Sequence, residues 1–233
     1  MRGGFRGLAL GLAAVCPLQC GEAIAGPWPR APGEGLVSVE IGRSNLEGLS
    51  AIQTHTYGEY GLGGGVTAIA KLDTVRYDDP LGGGHRAGRL GLQRSTQLFG
   101  GFVAAGGAGV QVGRAAAATA CAETGGVAWL GLGTSGRLDG QTWFAALDAE
   151  HWRQGAACRG NGLSATVGRD LSSALTLVQR IDWRKGRGET PTLKTETRLV
   201  LSGSRTAYSL LWREEQGGYF QEKAFAVGLA RLF

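Results

Sequence analysis

The sequence predicts an all-β protein, a closed antiparallel transmembrane β-barrel of about 12 strands behind an N-terminal signal peptide. Three observations carry that expectation. From Leu36 onward the chain is a succession of segments of about ten residues in which apolar side chains alternate with polar or small ones. The links between these segments are alternately short and long. The first 25 residues have the composition of an export signal.

Arg2 and Arg6 give a positive start, Leu8 to Leu18 form a short apolar core, and Ala23-Ile24-Ala25 fits the small-x-small rule for signal peptidase. Cleavage after Ala25 leaves a mature chain beginning at Gly26. A lipid anchor on Cys20 fits poorly, because Gln19 is bulky and polar where a small residue is needed. Residues 1–25 take Arg2, Arg6 and Glu22 with them, so the formal charge of +5 falls by one. That mild balance, without a basic stripe interleaved with aromatics, excludes nucleic acid as a partner. Residues 26–35 carry three Pro and three Gly and are expected to form a periplasmic N-terminal tether.

The barrel is assigned to residues 36–233. The length, 233 residues, suits a single β domain. The 42 Gly show no collagen period, and six Trp, seven Phe and five Tyr exclude a disordered Gly-rich tract. No stretch beyond the signal matches the roughly 20 apolar residues of a membrane helix. Strands are expected at 36–45, 51–62, 65–77, 86–96, 99–112, 126–136, 141–153, 162–169, 173–184, 192–202, 205–214 and 220–233. The tenth shows the logic. Leu193, Thr195, Thr197, Leu199 and Leu201 fall on one face, and Lys194, Glu196 and Arg198 on the other. A helix would spread those charges around its circumference.

Short links occur at Gly63-Gly64, Arg137 to Gly140, Asp170 to Ser172 and Gly203-Ser204. Longer polar ones run from Asp78 to His85, Arg114 to Gly125, Gln154 to Asn161, Lys185 to Pro191 and Glu215 to Tyr219. Outer-membrane barrels have short periplasmic turns and longer extracellular loops. With an even strand count, all the long loops then lie outside and both termini inside.

The last strand supplies a resemblance. Phe225, Val227, Leu229, Arg231 and Phe233 alternate up to a terminal aromatic. This resembles the C-terminal signal of bacterial outer-membrane β-barrel proteins, which implies the barrel assembly machinery as a partner and the outer membrane of a Gram-negative bacterium as the location. Arg231 departs from the usual apolar residue there, at a cost of roughly 0–1 kcal/mol near the membrane edge. Tyr57-Gly58-Glu59-Tyr60-Gly61-Leu62 is also similar to second-strand segments of uncharacterised outer-membrane proteins.

Alternation assigns to the lumen Glu59, Lys71, Asp73, Arg89, Asp148, Glu150, Arg180, Asp182, Arg184, Lys194, Glu196, Arg198 and Arg213. Two readings stand open. The charges form a ladder of ion pairs that stiffens a narrow barrel, or they line a polar channel. Cys121 and Cys158, on neighbouring outer loops, are the disulfide candidate. His151 at the outer end of the seventh strand lacks a sequence-local Ser, so a lipid hydrolase is the weakest reading. Asp78-Asp79 supplies too few oxygens for calcium, and Gly63-Gly64-Gly65 is a turn rather than a phosphate loop. No catalytic residue, metal site or cofactor is expected. The expected function is a narrow passive channel or small-solute transporter, with a plugged structural or surface-interaction barrel as the alternative. Outer-membrane lipid and small solutes are the expected surroundings.

Overall fold

A computed structural model describes residues 26–78, 83–113, 121, 123–155, 158–187, 189–217 and 220–233. The expected signal peptide lies outside these residues. Twelve strands follow in chain order: β1 (Gly35–Leu46), β2 (Leu49–Gly63), β3 (Val66–Tyr77), β4 (Gly84–Gln97), β5 (Phe102–Gly113) and β6 (Thr124–Leu138). The second half holds β7 (Gln141–Gln154), β8 (Cys158–Asp170), β9 (Leu175–Gly186), β10 (Thr192–Ser202), β11 (Thr206–Gly217) and β12 (Phe220–Leu232). Each strand pairs antiparallel with its sequence neighbours, and β1 closes the sheet on β12. Val39, for example, faces Thr56 of β2 and Leu229 of β12. Closure leaves no edge of unpaired backbone groups in lipid.

Side-chain alternation gives the wall two chemistries. Outward stand Ile41, Leu90, Leu130, Leu147, Tyr208 and Phe225, all half exposed or more. Tyr60, Phe99, Phe102 and Phe233 ring the end at which β1 begins and β12 finishes. An apolar outer face on a closed barrel makes this a membrane-spanning barrel of the outer-membrane type. Inward stand polar and charged groups, with small residues between them. Several inward glycines are the space a ring needs. A Cβ on Gly107 would lie 2.3 Å from the Trp129 ring, and one on Gly168 would lie 2.1 Å from Phe144.

The links differ from expectation at the outer end. They are 47–48, 78–83, 114–123, 155–157, 187–191 and 218–219. Those at the periplasmic end are 64–65, 98–101, 139–140, 171–174 and 203–205. Three of the outer links are thus as tight as the inner ones. The ladders simply continue past the apolar band. Arg159 and Gln216 break the apolar alternation yet still pair with Arg153 and Leu193, because paired backbone groups satisfy each other without water. β8 accordingly starts at Cys158 rather than 162. Residues 99–101, expected in a strand, form a 3-10 turn before β5. Asp139 and Gly140, both at positive φ, make the two-residue hairpin that an Asp-Gly pair favours.

The N-terminal segment is a correction. Residues 26–34, expected in the periplasm, fold back inside the wall. Pro27 is under 2 % exposed, and Trp28 meets the inward Phe144 edge-on at 5.9 Å. Pro/Gly composition shows that a segment is not a strand but not where it goes. Its destination here is set by fit to the lumen.

Candidate functional site

The lumen has three levels. The outer level is a cavity of about 980 Å³ reaching from the rim residues Tyr77, His85, Cys158 and Glu189 down to Lys71, Arg180 and Glu196. Its wall carries eight Lys or Arg against seven Asp or Glu among the described residues. Cys121 and Cys158 are joined by a disulfide at this rim, with Cα atoms 5.2 Å apart.

The middle level is a belt of ion pairs, and strand register explains it. Glu196 of β10 lies between Arg213 of β11 and Arg180 of β9, and Lys194 lies opposite Asp182. Asp182 takes Arg180 at 2.8 Å and Lys194 at 3.3 Å. Lys194 also reaches Glu196 at 3.0 Å. Glu196 lies 3.8 Å from Arg198, which pairs in turn with Glu40 of β1. Across the lumen Glu150 holds Arg89 at 2.9 Å and Arg184 at 3.4 Å. Asp73 bonds His55 Nδ1 at 2.7 Å, and Arg213 reaches Gln53 and Glu222.

Two members of the sequence-derived set stand apart from these pairs. Lys71 lies over the Tyr57 ring at 5.4 Å. It shares a small cavity of about 70 Å³ with Asp148 and Trp129. Neither Lys71 nor Asp148 makes an ion pair among the described residues. Glu59 sits lower, bonded by Tyr57 and by Arg30 of the N-terminal segment.

The lowest level is filled. Leu36, Tyr57 and Ile69 form a buried cluster packed by Trp129 and Leu232, and residues 26–34 occupy the space beside it. Trp129 Nε1 donates to Gln93 at 2.9 Å, and Gln93 Nε2 donates to the Gly26 carbonyl at 3.1 Å.

Glu40, Gln53, His55, Glu222 and Arg30 also reach the lumen, beyond the residues that alternation assigns to it. For Glu40 and Glu222 the signal was present. Val37, Val39 and Ile41 point outward, as do Phe225, Val227 and Leu229, which turns the intervening carboxylates inward. For Gln53 and His55 it was not, because residues 53–56 are polar on both faces.

Sites outside the lumen are incomplete. His151 is exposed and bonds Asn161 at 2.8 Å. Its cross-strand neighbour on β6 is Ala128, so these positions bring no hydroxyl or thiol to it. Asp78 pairs with Arg43 at 2.8 Å, while Asp79 lies outside the described residues.

No protein-family model matches the chain, and no curated protein does. Solved structures do. A NanC porin aligns with a TM-score of 0.61 at 10% identity, covering 83% of this chain and 98% of that one. A KdgM porin aligns with 0.58 at 9% identity over the same shares, and has also been seen in complex with disordered oligogalacturonate. An outer membrane channel from Pseudomonas putida F1 aligns with 0.58 at 10% identity, covering 91% of this chain and 100% of that one. At such identities the likeness shows the fold, a 12-stranded barrel of the outer membrane.

Proposed function

We propose that the protein is a narrow passive channel for small hydrophilic solutes. The observation that carries this is the outer cavity of about 980 Å³, whose polar wall continues inward into the charged belt. A barrel built only as a wall would gain nothing from desolvating so many charges, since burying them costs several kcal/mol each before pairing. The fold shared with porins supports the same reading. Oligogalacturonate, seen in complex with the KdgM porin, is acidic. Here cations and anions on the cavity wall nearly balance, so the pore has no built-in preference for acidic sugars. Single-channel recording of purified, refolded protein in planar bilayers tests the proposal. Stepwise conductance is expected. A flat trace, with residues 26–34 present or removed, would sink it.

The alternative, a plugged barrel without transport, is favoured by one observation, the occupation of the inner lumen by residues 26–34. The same recording decides between them.

Two further readings belong to this proposal. The signal is cleaved after Ala25, so the mature chain begins inside the lumen at Gly26; the mass of protein from the membrane fraction checks this, and a retained Met1 would overturn it. Phe225, Val227, Leu229 and Phe233, all turned to lipid and about half exposed, form the signal read by the assembly machinery. Removal of Phe233 should slow insertion, as followed by the yield of heat-modifiable barrel in membranes. An unchanged yield would overturn it.

A further inference from the structure

We propose that Gly26–Glu34 is a removable plug, and that its withdrawal toward the periplasm opens the pore. This rests on the channel reading and adds its gate.

The segment enters from the periplasmic rim and climbs to the underside of the belt. At the rim, Gly33 N donates to Gly61 O and Gly61 N to Glu34 O, both at 2.9 Å. Higher up, Arg30 N donates to Thr67 Oγ1 at 3.2 Å, and the Arg30 guanidinium pairs with Glu59. Higher still, Trp28 packs on Phe144, and Gly26 ends under Gln93. The wall is shaped to admit it. A Cβ on Gly61 would lie 2.0 Å from Ala31 O, and one on Gly133 would lie 2.5 Å from Pro27 Cγ. Glycines at 61, 63, 131 and 133 thus make a trough that fits this segment.

The same observations make the plug separable. None of its residues belongs to a strand. The barrel closes without it, since Gly35 and Phe233 exchange both backbone hydrogen bonds, at 2.9 and 3.0 Å. Among the described residues the segment is held by one ion pair, one aromatic contact, the packing of buried Pro27 and a few hydrogen bonds. The groups it bonds on β2–β4 are polar: Glu59, Thr67 and Gln93 are all buried there. Beneath a permanent core element apolar side chains would serve better, because a buried polar group needs a partner in every state. These three can take water when the segment leaves, and they extend the hydrophilic path below the belt.

Planar-bilayer recording of three proteins tests the plug. The mature chain should be closed for most of the record. A chain beginning at Gly35 should show time-averaged conductance roughly tenfold higher or more. The Arg30→Cys/Thr67→Cys variant joins two positions already in contact; oxidised it should not open, and reductant should restore its openings. The native Cys121–Cys158 pair is controlled by treating the unmodified chain with the same reductant. Equal conductance of the mature and shortened chains would overturn the plug and leave the channel reading standing. Flat traces from both would overturn the channel reading, and the plug with it. If the shortened chain fails to give a heat-modifiable barrel, the cross-linked variant decides: identical oxidised and reduced traces would overturn the proposal.

Discussion

At the scale of the residue, burial separates charges that hold the structure from charges that only decorate it. Asp182 has a side chain 5% exposed and two cationic partners, Arg180 and Lys194. Asp78 has a side chain 45% exposed, and its partner Arg43 is 70% exposed. Breaking a buried pair strands the partner charge, whereas an exposed pair is largely screened. Asp182→Asn should therefore destabilise by roughly 3 kcal/mol, the lower end for a buried pair because water reaches the belt. Asp78→Asn should stay within about 1 kcal/mol. Urea unfolding in lipid vesicles, followed by Trp fluorescence, compares them; equal losses would contradict this division. Legibility in the sequence follows the same physics. Lys194, Glu196 and Arg198 could be phased because Leu193, Leu199 and Leu201 mark the lipid side. His55 could not, because Thr54 and Thr56 beside it carry no such mark. Arg30 lies in no periodic segment, and only the folded lumen brings it to Glu59.

At the scale of the element, strands were legible almost to the residue where the apolar period runs, and less so where they rise above the lipid. The period reports the membrane, while the ladder reports backbone pairing, and the second outlasts the first. Two predictions belong here. Leu147 stands near the middle of β7 and is 60% exposed on the lipid face. Leu147→Arg should destabilise by roughly 2–4 kcal/mol, the cost of a cation at the bilayer midplane; vesicle unfolding curves measure it, and no loss would mean that β7 faces lipid elsewhere. The second concerns the glycines, whose abundance the sequence shows without its purpose. Trp129 reaches Gly91 of β4 and Gly107 of β5, where a Cβ would come within 2.5 and 2.3 Å of its ring. Gly107→Val should cost roughly 1–3 kcal/mol through overpacking and shift the Trp emission. Gly126→Ala, with open space around its Cβ, should do neither. A silent Gly107→Val would show that the ring can move aside.

At the scale of the whole molecule, the closed barrel, its strand number and its two-faced wall were all in the period of the sequence, but the state of the lumen was not. A plug and a tether have the same composition; they differ in what they touch. The clasp at the outer rim is a global feature too. The Cys121–Cys158 bond spans 37 residues, and a loop of that size confines the unfolded chain by about 3–4 kcal/mol. Cys121→Ser/Cys158→Ser should lower the urea midpoint accordingly, with no further change on adding reductant.

The charge balance of the outer cavity gives the last prediction, made for the chain that begins at Gly35 so that plug and filter are tested apart. Among the described residues eight cations face seven anions on the cavity wall, so the reversal potential in asymmetric KCl should lie near zero. Glu215 and Glu222 are cross-strand neighbours at the outer mouth, a like-charged pair that weakens the sheet locally. Replacing both by Gln removes that repulsion and leaves eight cations against five anions. In stability the relief of that repulsion is opposed by loss of the Arg213–Glu222 pair, while the field in the mouth turns positive and concentrates anions. The permeability of chloride over potassium should rise by roughly twofold. A cation-selective shift would contradict this account of the mouth's charge. An unmoved reversal potential, with conductance intact, would mean that ions take a path these side chains do not line.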